Sequence, residues 1–286
     1  MMKLSMHIFL YLLLALALRG SDRFTLEQND TVRQTFAFGQ GSNAHKVLVD
    51  NVNGFIHVTS YSGSAIQMVA HKKIRAESKE AMEEAKRDVK LDTTQQGNFV
   101  RLYVDGPFRS HDGHHDRGSR YYGYEVTFDF DVQIPADTEV ILATVNGEVT
   151  AEGVSSHFDV SNINGGIDMK RVAGSGTAHT INGSLTVHFR KNPTGESSFN
   201  SLNGALDVYF QPNLSANLKF KTFNGSIFSD FDVLPAPAET TGEVERGKGK
   251  FIYRGHRFST ARAGAGGPEL VFDAFNGNIR LHQAAQ

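Results

Sequence analysis

Phe158-Asp159-Val160-Ser161-Asn162-Ile163-Asn164-Gly165-Gly166-Ile167-Asp168-Met169 is the stretch from which the fold can be read. Counted from Asn164, its apolar residues fall at −6, −4, −1, +3 and +5. The frame recurs wherever Asn-Gly occurs, at Asn53, Asn146, Asn164, Asn182, Asn203, Asn224 and Asn276. The central copies follow one another at spacings of 18, 18, 21 and 21 residues, as a stacked repeat would. Around Asn53 the five positions are Val47, Val49, Val52, Ile56 and Val58; around Asn276 they are Leu270, Phe272, Phe275, Ile279 and Leu281. Over seven copies 32 of the 35 positions are apolar, the exceptions being Gly176, Ser197 and Ser229. A chain that is 40% apolar would supply about 14 by chance, so the repeat is structural.

Side-chain parity turns this frame into geometry. Positions −6 and −4, and likewise +3 and +5, alternate as strand residues facing one interior. The step of three from −4 to −1 breaks that period and predicts a bend or bulge before the Asn. Asn-Gly is a strong hairpin signal because both residues tolerate positive φ. A two-residue hairpin, however, would pair Val145 with Glu148 and turn Val149 to the opposite face. A strand–corner–strand arc keeps both arms facing inward. Stacked arcs give an all-β, single-chain parallel β-solenoid, or β-helix, with the Asn-Gly corners in a column. An antiparallel sandwich is the rival reading.

Composition fits a turn-rich β protein. The 286 residues include 28 glycines and 21 phenylalanines, with no tryptophan. Lys plus Arg number 29 against 31 acidic residues, and this balance offers no basic stripe for nucleic acid. The absence of cysteine excludes disulfides, thiolate metal sites and cysteine nucleophiles. At the N-terminus Lys3 precedes an unbroken apolar run from Ile8 to Leu18. As a helix this run would rise about 16 Å against a hydrocarbon core of roughly 30 Å. It therefore reads as the core of a signal peptide over residues 1–20, cleaved after Ala17 or Gly20, with an uncleaved anchor as the alternative. Both readings export the rest, to the periplasm, the cell surface or the extracellular space. No later segment can cross a membrane as a helix. Residues 21–286 then form one domain.

The remaining segments fit around the stack. Glu77 to Leu91 predicts one helix, capped by Ser78 and crossing or capping the stack with an Ala81, Met82, Ala85, Val89 stripe. Tyr124 to Ile134 alternates cleanly and stops at Pro135, a long half-buried strand. Residues 105–123 and 235–250 read as loops.

With these features together, the chain resembles a bacterial adhesin-like family of envelope proteins, a domain of unknown function. The resemblance rests on Val52-Asn-Gly-Phe-Ile-His-Val58 followed by the helix, and on Phe130-Asp-Val-Gln-Ile-Pro-Ala-Asp-Thr-Glu-Val140 leading into Thr144-Val-Asn-Gly-Glu-Val149. It extends through the later Asn-Gly copies to Gly266-Gly-Pro-Glu-Leu-Val-Phe-Asp-Ala-Phe-Asn-Gly-Asn-Ile-Arg-Leu281. It covers essentially 32–282 and implies a β-solenoid outside the cytoplasm. It brings no catalytic residues, and the 105–123 and 230–268 connections depart from it.

Two places could carry chemistry. His111-Asp112-Gly113-His114-His115-Asp116 groups imidazoles and carboxylates that could hold a divalent metal, or could simply form a solvated loop. On the outward face of the second arms, position +4 reads His57, Thr150, Asp168, Thr186, Asp207, Phe228 and Arg280, with Glu152, Lys170, His188 and Tyr209 at +6. A carbohydrate-active β-helix enzyme could use the Asp168/Asp207 face, but a glycosidase needs its carboxyl groups about 5 to 9.5 Å apart. With Thr186 between them, stacking puts this pair near 10 Å. Arg117, Arg120, Tyr121, Tyr122 and Tyr124 could stack on sugars or fold over their own strand. No phosphate-loop, Gly-x-Ser-x-Gly or His-Glu-x-x-His motif is present. The repeat accounts for the sequons at Asn182 and Asn224. The expected function is therefore a non-enzymatic exported envelope protein, an interaction scaffold presenting a solenoid surface. It carries no catalytic, cofactor or metal site. Its partner is an unidentified protein or glycan at the cell envelope, and its oligomeric state is left open.

Overall fold

The computed structural model describes residues 23–38, 45–109, 121–236, 246–247, 250–251 and 258–284. They form an all-β architecture with one short helix and two large, mostly parallel sheets of 11 and 10 strands. Arms preceding Asn-Gly lie in one sheet, the first-arm sheet, and arms following it lie in the other. Each arm pairs in parallel register with the same arm of another copy: Phe158 opposite Val140 and Gly176, Ile167 opposite Val149 and Leu185. Positions −6, −4, +3 and +5 point between the sheets. Val160, Phe199, Phe272, Val187 and Leu206 there have no exposed surface.

Two expectations change. The first concerns the parity at the corner. The strand keeps period two through −2, so Asn51, Thr144, Asn162, Thr180 and Ser201 are inward and at most 4% exposed. No bulge intervenes, and −1 turns outward: Ile163, Ile181, Leu202, Phe275 and Phe223 are 37 to 67% exposed. Burying donors at −2 is tolerated because a carbonyl waits for each, although Asn162 Oδ1 is left without a partner. Thr180 Oγ1 donates to Gly165 O at 3.0 Å, Ser201 Oγ to Gly183 O at 3.0 Å, and Asn162 Nδ2 to Gly147 O at 2.7 Å. Six of the seven corner asparagines end a strand and Asn53 forms an isolated bridge to Asn146; Arg171 is the one non-glycine described with positive φ. Their amides form a ladder in which Asn146 Nδ2 donates to Asn53 Oδ1, Asn164 to Asn146, Asn182 to Asn164 and Asn203 to Asn182, at 2.8 to 2.9 Å.

The second change is the order of stacking. The ladder continues from Asn203 to Asn276 at 2.7 Å and only then to Asn224 at 2.8 Å. The last copy in the chain is thus inserted between the Asn203 and Asn224 copies. Packing explains this. The Asn276 copy is apolar at all five frame positions, so it tolerates burial on both sides, whereas Ser229 spoils +5 of the Asn224 copy. That copy ends the second-arm sheet, and its Ile227 is 39% exposed while Ile279, in the equivalent place, is fully buried. Phe272 completes the insertion by stacking between Phe199 and Phe220, with ring centroids 5.4 and 5.3 Å apart.

Antiparallel strands close the other end. Phe99–Asp105 and Tyr124–Pro135 extend the two sheets beyond the Asn53 copy; Lys90–Gln96 then flanks the first, and Ala65–Ala76 and Leu26–Ala37 the second. The helix is Lys79–Asp88, with Ser78 accepting from Ala81 N as its N-cap, and it buries Met82 and Ala85 against the two strands Ala65–Ala76 and Tyr124–Pro135. A cap of this kind contributes about 1 kcal/mol.

Candidate functional site

The outward face of the second-arm sheet gathers side chains that are far apart in sequence. The strands Ile167–Val172, Leu185–Phe189, Leu206–Phe210, Ile279–Gln283 and Ile227–Ser229 lie side by side in that order. Because the copies are in register, one sequence position becomes one row. Row +4 reads Asp168, Thr186, Asp207, Arg280 and Phe228. Row +6 brings together His188, Tyr209 and His282.

The three rings of row +6 stack. His188 and Tyr209 have centroids 4.0 Å apart and planes within 10°, and Tyr209 and His282 follow at 4.4 Å and 18°. Carboxylates fix the end ring: His282 Nε2 lies 3.0 Å from Asp207 Oδ1, and Nδ1 lies 3.7 Å from Asp230 Oδ2. Arg280 reaches Asp207 at 3.4 Å. At the other end Lys170 holds Asp168 at 2.9 Å. The Asp168 contact, chiefly as a hydrogen bond, pushes the Lys170 ammonium up from its ordinary value. Burial pushes the His188 imidazole down; nearby Asp168 opposes this, while Lys170 and His282 add to it.

A pH dependence follows. A depressed pKa means the unfolded chain binds a proton that the folded chain resists. The neutral ring therefore stabilises the fold above the unfolded value near 6.5, and this contribution is lost as pH falls through the lower, folded value. His188→Phe keeps the ring stack and removes the proton, so stability measured by urea denaturation should fall less between pH 7 and pH 5 than in the parent chain. An unchanged slope would contradict the assignment.

Asp168 and Asp207 do share a row, as expected, with Thr186 between them. Two strand spacings of roughly 4.8 Å hold them nearly 10 Å apart, and each carboxylate is engaged by its own cation. Asp168 pairs through Oδ2 with Lys170 of its own strand, and Asp207 with Arg280 and His282 of the neighbouring one, so the two acids belong to separate ion pairs. The possible metal loop, His111 to Asp116, lies outside the described residues, as do Arg117 and Arg120. Among the described residues no group of three or more His, Asp or Glu is placed to hold a metal. The tyrosines that follow are engaged locally. Arg23 covers Tyr121 at 4.0 Å, Tyr122 donates to Pro107 O at 3.2 Å, and Tyr124 is 8% exposed, its phenol pushed up to about 12, mainly by burial.

His282 is the member of the stack that position in the repeat alone does not bring in. Its register at +6 from Asn276 was visible, but its neighbour was not. Only the insertion of the Asn276 copy beside the Asn203 copy brings His282 onto Tyr209 and Arg280 onto Asp207.

No protein-family model matches the chain, and no curated protein matches it. Among the solved structures that match, two align with most of the chain. One, from Clostridium sporogenes ATCC 15579, is described as a "putative cell adhesion protein"; it is 12% identical over 90% of this chain and 100% of that one, with a TM-score of 0.46. The other, a "putative adhesin" from Bacteroides fragilis NCTC 9343, is 8% identical over 89% of this chain and 97% of that one, with a TM-score of 0.40. Likeness this loose leaves the function to be argued from the chain's own geometry. Among the described residues no helix is long and apolar enough to cross a membrane.

Proposed function

We propose that this chain is a non-enzymatic, exported scaffold of the cell envelope. Residues 1–20 serve as its signal peptide and 21–286 form one β-solenoid domain, and a surface protein or glycan is recognised on the outward face of the second arms. The observation carrying this reading is the chemistry of that face. The acid pair that the repeat spacing singles out, Asp168 and Asp207, is split between separate ion pairs two rungs apart, while Tyr209, His282, Arg280 and the 52% exposed Phe228 form a patch of rings and charge. Exposed aromatic and Arg side chains on a rigid support are suited to recognition. The apolar run Ile8–Leu18 supports export, and the repeat supports a rod-like display surface.

The test pairs binding with turnover. The exported chain should bind envelope glycans on an array, or purified envelope vesicles, and Arg280→Ala or Tyr209→Ala should weaken that binding about tenfold. Polysaccharide hydrolysis that disappears in Asp207→Asn would contradict the proposal, as would binding indifferent to both alanine variants.

A further inference from the structure

The −1 residues carry an inference that is independent of the outward second-arm face. In stacking order they are Val52, Val145, Ile163, Ile181, Leu202, Phe275 and Phe223, one per rung of the amide ladder. The row spans six steps, about 29 Å. Its first two members are half-buried; the other five are 40, 37, 46, 43 and 67% exposed. A continuous apolar strip of this length on a corner is more than scattered surface apolarity and marks a contact surface.

Two features of the row specify what covers it. The first is pitch. A partner that meets every rung must itself repeat at roughly 4.8 Å, and a second copy of the same stack does so by construction. The second is the gradient of size, small at the Asn53 end and large at the Asn224 end. Let two rows meet antiparallel about a two-fold axis through Ile181. Val52 then faces Phe223, Val145 faces Phe275, Ile163 faces Leu202, and Ile181 faces its own mate. Each valine meets a phenylalanine and the middle pairs are of equal, intermediate size, so the gap is filled evenly. A parallel pairing would set Phe on Phe at one end and Val on Val at the other.

Charge agrees with this arrangement. The two-fold keeps each flanking row opposite its own kind. At −3, Asp50 meets Lys221, Ala143 meets Asp273, Ser161 meets Asn200 and His179 meets itself. At +2, Phe55 meets Ser226, Glu148 meets Asn278, Gly166 meets Ala205 and Ser184 meets itself. No carboxylate is set against another in these rows, and the Asp50–Lys221 contacts bring two intrachain ion pairs, Asp50–Arg109 and Asp273–Lys221, side by side with opposite charges facing. An isologous interface needs this kind of self-complementarity.

We propose that the chain forms a two-fold homodimer through this row, with the rods antiparallel and Ile181 on the axis. The chain lacks cysteine, so engineered thiols report the arrangement cleanly. In analytical ultracentrifugation the exported chain should sediment as a dimer at micromolar concentration, and Leu202→Lys should raise its dissociation constant at least tenfold. Under mild oxidation Ile181→Cys should give a covalent dimer and Phe223→Cys should not. Mixing Phe223→Cys with Val52→Cys should restore the cross-link. All these positions are exposed or half-buried, so the fold tolerates the changes. A chain that stays monomeric throughout overturns the proposal, and so does a dimer in which Phe223→Cys links as readily as Ile181→Cys.

Discussion

Gly204→Ala is expected to cost this fold roughly 3 kcal/mol, a loss on the scale of severe overpacking in a tight core. The cause is distance, since the φ of Gly204 lies outside the left-handed region that favours glycine. A Cβ placed there would sit 1.9 Å from Gly183 O and 2.4 Å from its carbonyl carbon. Neither strand can retreat, because Gly204 N donates to Asn276 O on one side and Gly183 N to Asn203 O on the other, both at 3.0 Å. The same contact recurs up the column: Gly183 against Gly165 O, Gly277 against Gly204 O and Gly225 against Gly277 O, at 2.0 to 2.1 Å. Glycine follows each asparagine because the corners stack closer than a methyl group allows. Gly97→Ala provides the contrast. That site has open space but a φ of +58°, so it should cost only about 1 kcal/mol of backbone strain. Urea denaturation of the two variants measures the difference. Equal losses would show that close approach is not what the column requires.

Phe272→Ala should be at least as damaging, removing about 3–5 kcal/mol. Phe272 is fully buried and sits between Phe199 and Phe220, with Phe210 edge-on at 6.4 Å. Truncation empties the middle of a three-ring stack whose members are held by parallel backbones. The strands cannot collapse inward without breaking the ladder from Ser197–Asn203 through Glu269–Asn276 to Ala216–Asn224. Phe272→Leu retains most of the volume and should recover more than half of the loss. Phe275→Ala is the control three residues away. Its ring is 43% exposed, so thermal denaturation should register a much smaller shift, within about 1 kcal/mol of the parent. Comparable shifts for Phe272→Ala and Phe275→Ala would contradict the parity assigned to the corner.

That parity shows how far the sequence could be read. The repeat, its arms, the parallel register and the inward faces at −4, +3 and +5 follow from local periodicity, which Val160, Ile167 and Met169 display without help from elsewhere. The corner does not. Asn162, Thr180 and Ser201 look like outward residues until the glycine carbonyl of the neighbouring copy is in place to accept from each. Ile163, Ile181 and Leu202 look like core for the complementary reason. The order of the copies was written more faintly. Ser229 is the one polar residue at +5, and it marks the copy that closes a sheet. Half of the ring stack was legible, since His188 and Tyr209 share position +6 of consecutive copies; the other half was not, because His282 and Tyr209 meet only once a distant segment has been inserted between consecutive copies.

The insertion is therefore the claim on which both the buried stack and the outward face depend, and a cysteine-free chain allows it to be tested directly. Asp273 lies in register with Asn200 on one side and with Lys221 on the other. Adjacent strands at roughly 4.8 Å bring Cα atoms within disulfide range, and a two-rung separation does not. Oxidation should close the bond in the double variant Asn200→Cys/Asp273→Cys and leave Asn200→Cys/Lys221→Cys as free thiols, scored by peptide mapping of the monomer. A bond joining 200 to 221 within one chain, with none joining 200 to 273, would mean that the copies stack in the order in which they are synthesised.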